Sequence, residues 1–105
     1  MMDLKKIQKM SKDLQAGMES MKDELADVAI EGVSGGGAVK VIVNGNQELV
    51  SIDISPEAVD PEDIEMLEDL VRAAINQAIA KSKDVQQERI NQLTGGMKLP
   101  NMPFF

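Results

Sequence analysis

The feature that most constrains the fold is a pair of short alternating runs in the middle of the chain. Their β-branched positions are Val39, Val41 and Val43 in the first run and Val50, Ile52 and Ile54 in the second. An alternation with a period of two residues predicts β-strands with one buried face. The runs are separated by Asn44-Gly45-Asn46, where Asn and Gly tolerate the positive φ angles of tight turns. We therefore predict a β-hairpin here.

A long amphipathic pattern follows the hairpin and predicts a helix over about residues 61–93. Asp60 suits the N-cap and Pro61 the first helical position, because proline has the φ angle that a helix start requires. The apolar positions recur at steps of three and four residues; they are Ile64, Leu67, Val71, Ala74 and Ala78. Gly95 and Gly96 are expected to end the helix, and residues 95–105 are expected to form an irregular tail.

A second helical pattern precedes the hairpin and covers about residues 3–28. Its apolar positions are Leu4, Ile7, Leu14, Met18, Met21, Leu25 and Val28. The sequence predicts a short first strand over about residues 28–34. The triple glycine that follows permits a sharp turn. The predicted fold is α+β, with a long N-terminal helix, a three-stranded antiparallel meander over about 28–54 and a long C-terminal helix. These elements form a single domain of residues 1–94.

The two predicted helices are too long for one small sheet to cover. The second helix would extend roughly 50 Å at 1.5 Å per residue, whereas a seven-residue strand spans only about 23 Å. Much of each apolar face would remain exposed in a single copy, and exposed faces of this kind usually mark association. We therefore predict a homodimer, for which two-fold symmetry is the usual form.

The composition argues against several functional classes. The 105 residues include no His and no Cys, so the chain has neither an imidazole for proton transfer at neutral pH nor a thiolate nucleophile. The triple glycine lacks P-loop spacing and precedes a strand, and the acidic segments lack an EF-hand pattern. We expect no enzyme activity, cofactor or metal. No apolar run is long enough to span a bilayer, so we expect a cytoplasmic protein without a membrane partner.

Charge is distributed unevenly along the chain. The net charge is −7, yet residues 1–12 carry four basic residues and one acidic residue, and residues 81–105 carry four basic and two acidic residues. Antiparallel packing of the helices would bring these basic ends together. The candidate phosphate contacts are Lys5, Lys6, Lys9, Lys12, Lys81, Lys83 and Arg89. A solvated helix end and a DNA-binding surface are both compatible with this pattern.

Three ordered segments carry a resemblance to a known family. They are GGGAVKVIVNG, VSIDISPEAVDPEDIEMLEDLVRAAINQAIAKS and TGGMKLP. Over nearly the whole chain, this set resembles the YbaB/EbfC family of small bacterial nucleoid-associated proteins. The resemblance implies a tweezer-like homodimer with protruding helical arms that contact double-stranded DNA in the nucleoid and alter its conformation. It also implies roles in nucleoid organisation, gene regulation or DNA protection.

The residue types limit how such a protein could recognise DNA. The chain has no Tyr or Trp to stack on unpaired bases, and its only arginines for bidentate readout of guanine are Arg72 and Arg89. We therefore expect salt-sensitive contacts to phosphates with low sequence specificity. The alternative hypothesis is an acidic protein–protein adaptor that serves recombination or repair proteins, which the overall acidity and the Met-rich first helix suggest.

Overall fold

The computed structural model describes residues 4–93, which form a long helix, a three-stranded sheet and a second long helix. The elements are α1 (Leu4–Ala26), β1 (Ile30–Ser34), β2 (Val39–Val43), β3 (Leu49–Ile54) and α2 (Ile64–Leu93). Single 3₁₀ turns at Gly35–Gly37 and Pro56–Ala58 connect neighbouring elements. This order confirms the predicted α+β fold. The expectation of an irregular tail over residues 95–105 lies outside the described residues.

The sheet is an antiparallel meander in which β2 is the central strand. Gly32 of β1 pairs with Val41 of β2, and Val41 pairs with Ile52 of β3, so these three residues share one face. α2 packs on this face against β1 and β2, and the three valines of β2 are fully buried. The prediction of a half-buried β3 was wrong, because α2 does not extend over this edge strand and Ile52 remains 44% exposed.

A bulge in β3 also interrupts the predicted alternation of that strand. Ile42 pairs with Ser51, whereas the next residue, Val43, pairs with Leu49. Val50 is therefore the extra residue of a β-bulge, and Leu49 takes its place opposite Val43. Val50 is 62% exposed, although the period of two had assigned it to the buried face with Ile52 and Ile54.

The hairpin turn uses different residues from those predicted to take unusual backbone angles. The residue of this turn that has a positive φ is Gln47, at 62°, and not Gly45. Gly45 instead donates its amide to the Leu25 carbonyl at 2.8 Å, and a Cβ at Gly45 would lie 2.7 Å from Leu25 Cδ2. Glycine is required here because the turn approaches the end of α1 closely, which a local pattern does not reveal.

A buried polar cluster fixes the same turn to α2. The fully buried Ser82 donates its hydroxyl to the Asn44 carbonyl at 2.7 Å and accepts from Gln47 Nε2 at 2.9 Å. The Asn44 side-chain oxygen accepts from the amides of Asn46 and Glu48. Loss of one partner would leave a buried polar group unsatisfied, at a cost of about 1–3 kcal/mol. The turn and α2 are thereby held in one arrangement.

α2 begins at Ile64, three residues after the predicted start. The Asp60 carbonyl accepts from the Asp63 amide at 2.9 Å, and the Asp60 carboxylate accepts from the Glu62 amide at 2.9 Å. Pro61 therefore occupies the second position of a β-turn, which its fixed φ suits as well as it suits a helix start. Asp63 Oδ1 accepts from the Met66 amide at 3.2 Å, so the N-cap is Asp63 and not Asp60.

The buried side chains of residues 4–93 form two adjoining clusters. The larger one lies between the sheet and α2 and contains Ile30, Val39, Val41, Val43, Ala74 and Ala78. The smaller one joins α1 to the end of α2 and contains Met21, Leu25 and Ile90. Val28 and Val85 pack against both clusters, so the junction of the two helices is continuous with the main core.

Candidate nucleic-acid interface

The first half of α1 extends past the end of α2. The two helices are antiparallel, because Met21 packs near Ile90 while Leu93 lies against Gly17 further back along α1. Residues 4–16, which we call the α1 arm, therefore lie beyond the last described turn of α2 and extend about 20 Å at 1.5 Å per residue. Every residue of the arm is exposed. The described chain is correspondingly elongated, with dimensions of 70 × 25 × 17 Å.

Four of the candidate phosphate contacts lie on the α1 arm. At 3.6 residues per turn, Lys5, Lys9 and Lys12 fall within about 60° of one another around the helix axis, and we call them the lysine row. Lys6 lies at the flank of this row. The large apolar side chains of the arm lie on roughly the opposite face, and its only acidic residue is Asp13. The arm therefore presents a local excess of positive charge on an exposed surface.

The basic residues of α2 do not join the lysine row. Lys81 donates its ammonium group to the Glu31 carbonyl of β1 at 3.0 Å and lies about 18 Å along the helix from Leu93. Lys83 is an exposed neighbour one half-turn further on. The helices are antiparallel as expected, but they overlap only over the second half of α1. The sequence suggested a single cluster of candidates. The structure instead separates them into an arm group, Lys5, Lys6, Lys9 and Lys12, and a body group, Lys81 and Lys83.

Arg89 has a specific partner at the junction of the helices. Its guanidinium group forms an ion pair with the Glu24 carboxylate on α1, and the two side chains are 41% and 53% exposed. A half-exposed pair of this kind contributes at most about 1 kcal/mol, yet it helps to align α1 with α2. The charge of Arg89 is largely compensated, so its contact with a phosphate would require exchange with Glu24. Sequence reasoning did not find this pairing, since the two residues are far apart in the chain.

The acidic residues concentrate at the opposite end of the described chain from the α1 arm. Seven exposed carboxylates precede α2 or lie in its first two turns: Glu57, Asp60, Glu62, Asp63, Glu65, Glu68 and Asp69. α2 alone places about 45 Å between its two ends, which is several times the Debye length of about 8 Å at physiological salt. Repulsion of a phosphate by this acidic end is therefore strongly screened at the arm. A net charge of −7 is thus compatible with an anion-binding surface.

The described residues offer few alternatives to this surface. Within residues 4–93, no group of three or more Asp, Glu, His or Cys side chains is arranged to hold a metal ion. No helix in that range has both the length and the apolar character needed to cross a bilayer. The α1 arm is therefore the strongest candidate site that residues 4–93 provide.

Sequence comparisons place the chain among bacterial DNA-binding proteins. The sequence model of the YbaB/EbfC DNA-binding family matches residues 1–97. A protein from Pelotomaculum thermopropionicum named "Nucleoid-associated protein" is 46% identical over 99 residues, which cover 94% of this chain and 90% of that protein. A protein of the same name from Chloroflexus aurantiacus is 45% identical over 97 residues, which cover 92% and 97% of the two chains.

A comparison with solved structures supports the same fold. The crystal structure of the uncharacterized protein HP0035 from Helicobacter pylori matches this one with a TM-score of 0.81. The match covers 90% of this chain and all of that chain, at 22% sequence identity. The helix–sheet–helix architecture is therefore shared with a solved structure of remote sequence.

Proposed function

Because the chain belongs to the YbaB/EbfC DNA-binding family, we propose that it is a nucleoid-associated protein that binds double-stranded DNA with little sequence specificity and alters its conformation. The observation that carries this proposal is the exposed lysine row on the α1 arm, remote from the acidic end. The family is a DNA-binding one and not a family of enzymes. The adaptor hypothesis gains no support from the comparisons.

The dimensions of the arm suit a duplex. The lysine row spans about 10 Å along the helix, a length over which duplex DNA presents about six phosphate charges. An α-helix with its side chains is about 10–12 Å across, which is comparable to the width of the major groove. Lysine ammonium groups neutralise phosphates without reading base edges. The arm therefore supplies affinity and orientation, and little sequence discrimination.

The body group supplies a second, weaker contact in this proposal. Lys81 and Lys83 lie about 30 Å from the middle of the lysine row along the molecular axis, at 1.5 Å per helical residue. Arg89 lies between the two groups and contributes least, because Glu24 compensates its charge. A duplex that engages both groups has its phosphates neutralised at two separated places. Bending the duplex so that it reaches both groups would cost on the order of 1–6 kcal/mol. The added phosphate contacts offset this cost.

The test of duplex binding is a comparison of three labelled ligands. Two duplexes of equal length and unrelated sequence, and one of their single strands, are titrated with the full chain while fluorescence anisotropy is recorded. The two duplexes should differ in affinity by far less than the roughly 1,000-fold that separates specific from non-specific binding. The single strand should bind more weakly, because the chain has no Tyr or Trp to stack on its bases. Preferential binding of the single strand, or no binding of either duplex, would overturn the proposal.

We also propose that a second copy of the chain covers the apolar groove between β3 and α2. The floor of this groove is formed by Ile54, Leu67, Val71 and Ile75, and the neighbouring β3 residue Ile52 is exposed. Glu68 and Arg72 line the same groove, and Arg72 is exposed and paired with Asp69 in the single copy. Opposite charges beside an apolar floor make the surface self-complementary, as a two-fold interface requires. A dimer would present two α1 arms to one duplex.

Replacing Ile52 with aspartate should convert the dimer into a monomer at micromolar concentration. The change places a charge beside the proposed interface, where burial of an unpaired carboxylate is costly. The single copy should stay folded, because Ile52 is 44% exposed within it. Sedimentation equilibrium measures the mass, and Ser51→Asp is the matched control because Ser51 lies on the other face of the same strand. A monomeric wild-type chain, or equal dissociation in both variants, would contradict the assignment.

A further inference from the structure

β1 is an edge strand whose outer hydrogen-bonding groups are bound by side chains of α2. β2 is the central strand, so within residues 4–93 β1 has a neighbouring strand on one side only. An edge strand presents N–H and C=O groups with which another strand can pair. On β1, however, the Val33 amide donates to Gln77 Oε1 at 2.8 Å, and the Glu31 carbonyl accepts from Lys81 Nζ at 3.0 Å. We call Gln77 and Lys81 the edge guard.

The close packing of α2 on β1 brings the edge guard within reach of the strand. A Cβ at Gly32 would lie 2.1 Å from the Ala74 carbonyl oxygen, so the backbones of the helix and the strand nearly touch. Gln77 and Lys81 are four residues apart and therefore share one side of α2. Both side chains extend past the face of the sheet to its outer edge, where they bind β1. The same packing that forms the main core thus positions the edge guard.

Any strand that pairs with β1 needs at least one of the groups that the edge guard binds. The N–H and C=O groups of alternate residues point to opposite sides of a strand, so Glu31 and Val33 direct both of their groups outward. An antiparallel partner would exchange both hydrogen bonds with Glu31 or with Val33. A parallel partner would need the Glu31 carbonyl and the Val33 amide together. The edge guard therefore interferes with pairing in either direction.

The edge guard affects pairing more than it affects the stability of a single copy. Gln77 and Lys81 are both exposed, so water can replace either side chain as a hydrogen-bond partner. Exchange of a protein hydrogen bond for one to water changes stability little. An incoming strand, in contrast, must displace both side chains and come to lie beside the Lys81 ammonium group. Lysine at a sheet edge disfavours strand pairing for this reason.

The partner that the edge guard excludes is β1 of a second copy. Antiparallel pairing of a strand with itself is symmetric, as a two-fold contact between identical chains requires. Such a pair would be centred near Gly32, with Glu31 of one copy opposite Val33 of the other. Two Lys81 side chains, one from each copy, would meet at the same edge, where their ammonium groups repel each other. The edge guard therefore acts with particular strength against another copy of this chain.

We propose that β1 is a strand-pairing surface for β1 of a second copy and that Gln77 and Lys81 keep this surface closed. The inference follows from the two hydrogen bonds to the outward groups of Glu31 and Val33 and from the exposure of the edge guard. It does not depend on DNA binding. It is also compatible with a phosphate contact by Lys81, because an ammonium group has three donors and the Glu31 carbonyl uses one.

Replacing both guard residues with alanine should raise the mass of the protein in solution. Sedimentation velocity is recorded for the full chain with Gln77→Ala and Lys81→Ala over a range of concentrations. We expect species heavier than the wild type, in a fraction that rises with concentration. The matched control is Lys83→Ala with Gln87→Ala, which removes the same residue types from exposed positions of the same helix. The wild-type mass in the guard variant, or equal growth in both variants, would overturn the proposal.

A proline in β1 shows whether the added association occurs at this edge. Glu31→Pro removes an outward N–H group, and proline is tolerated in edge strands where that group faces away from the sheet. Added to the guard variant, this substitution should restore the wild-type mass, because proline at an edge prevents pairing. Circular dichroism confirms that each variant is folded. Heavier species that persist in the folded proline variant would place the association elsewhere and would overturn the proposal.

Hydrogen exchange tests the edge guard in a single copy and stays valid if the combined substitutions unfold the chain. The Val33 amide should exchange faster in Gln77→Ala than in the wild type, at a concentration low enough that both have the same mass. The Val41 amide lies in the central strand and should exchange at the same rate in both proteins. Gln87→Ala is the control and should leave both amides unchanged. An unchanged rate at Val33 in Gln77→Ala would overturn the proposal.

Discussion

Reversal of Lys5, Lys6, Lys9 and Lys12 to glutamate is expected to weaken duplex binding at least about 100-fold at low salt, because each reversal removes a phosphate contact and adds a repulsive charge. The fold should survive, since all four side chains are exposed and surface substitutions usually change stability by no more than about 0.5 kcal/mol. Fluorescence anisotropy gives the affinity, and the far-ultraviolet circular dichroism spectrum confirms that the variant is folded.

Two variants with the same change in net charge distinguish the effect of charge on the α1 arm from the effect of the total charge. Lys9→Glu with Lys12→Glu changes two arm residues, and Lys22→Glu with Lys40→Glu makes the same change in charge at exposed positions on the body. The arm pair should lose far more affinity than the body pair, because charges more than a Debye length from the DNA are largely screened. Equal losses would mean that only the total charge matters, and no loss in the arm pair would remove the lysine row from the site.

Replacing Gly32 with alanine is expected to destabilise the fold by at least about 3 kcal/mol, the upper end of the usual cost of overpacking. A Cβ at this position would lie 2.1 Å from the Ala74 carbonyl oxygen and 2.9 Å from the Ala78 amide nitrogen. Both atoms belong to the backbone of α2, so no side-chain rotation relieves the clash. α2 would have to move away from β1 and expose the main core. Urea unfolding followed by circular dichroism measures the effect.

The control for this substitution is Gly36→Ala in the turn before β2. Gly36 has a φ of 68°, and a Cβ there would meet nothing within 4 Å. Its cost should be the strain of a left-handed conformation alone, about 1–2 kcal/mol. If the free energy of unfolding fell by a similar amount in both variants, the close packing of β1 on α2 would not be the reason that residue 32 must be glycine.

Local patterns were sufficient to predict the elements and their order. The valines of β2 alternate because the central strand is covered by α2, and the three-four spacing of α2 places Ala74 and Ala78 on the face that meets the sheet. Helix and strand periods are properties of the chain itself. The fold class could therefore be predicted without knowledge of any distant contact.

The remaining details depend on contacts that a local pattern does not contain. Gly45 is required by the nearby end of α1, which is distant in sequence. The exposure of β3 follows from where α2 lies across the sheet, and no pattern in β3 itself fixes that position. The separation of Lys81 from the lysine row depends on how far the two helices overlap. This overlap is set by packing, including the contact of Leu93 with Gly17.

The central claim is that the α1 arm binds duplex DNA by neutralising phosphates, and the most direct test is the salt dependence of binding. Anisotropy titrations of one labelled duplex over a series of salt concentrations give the slope of log K against log salt. Four lysines in contact with phosphates predict a slope of about −3.6 or steeper for each engaged arm. The four-lysine reversal should abolish this dependence together with binding. An affinity that is independent of salt, or no binding by the wild-type chain even at low salt, would contradict the claim.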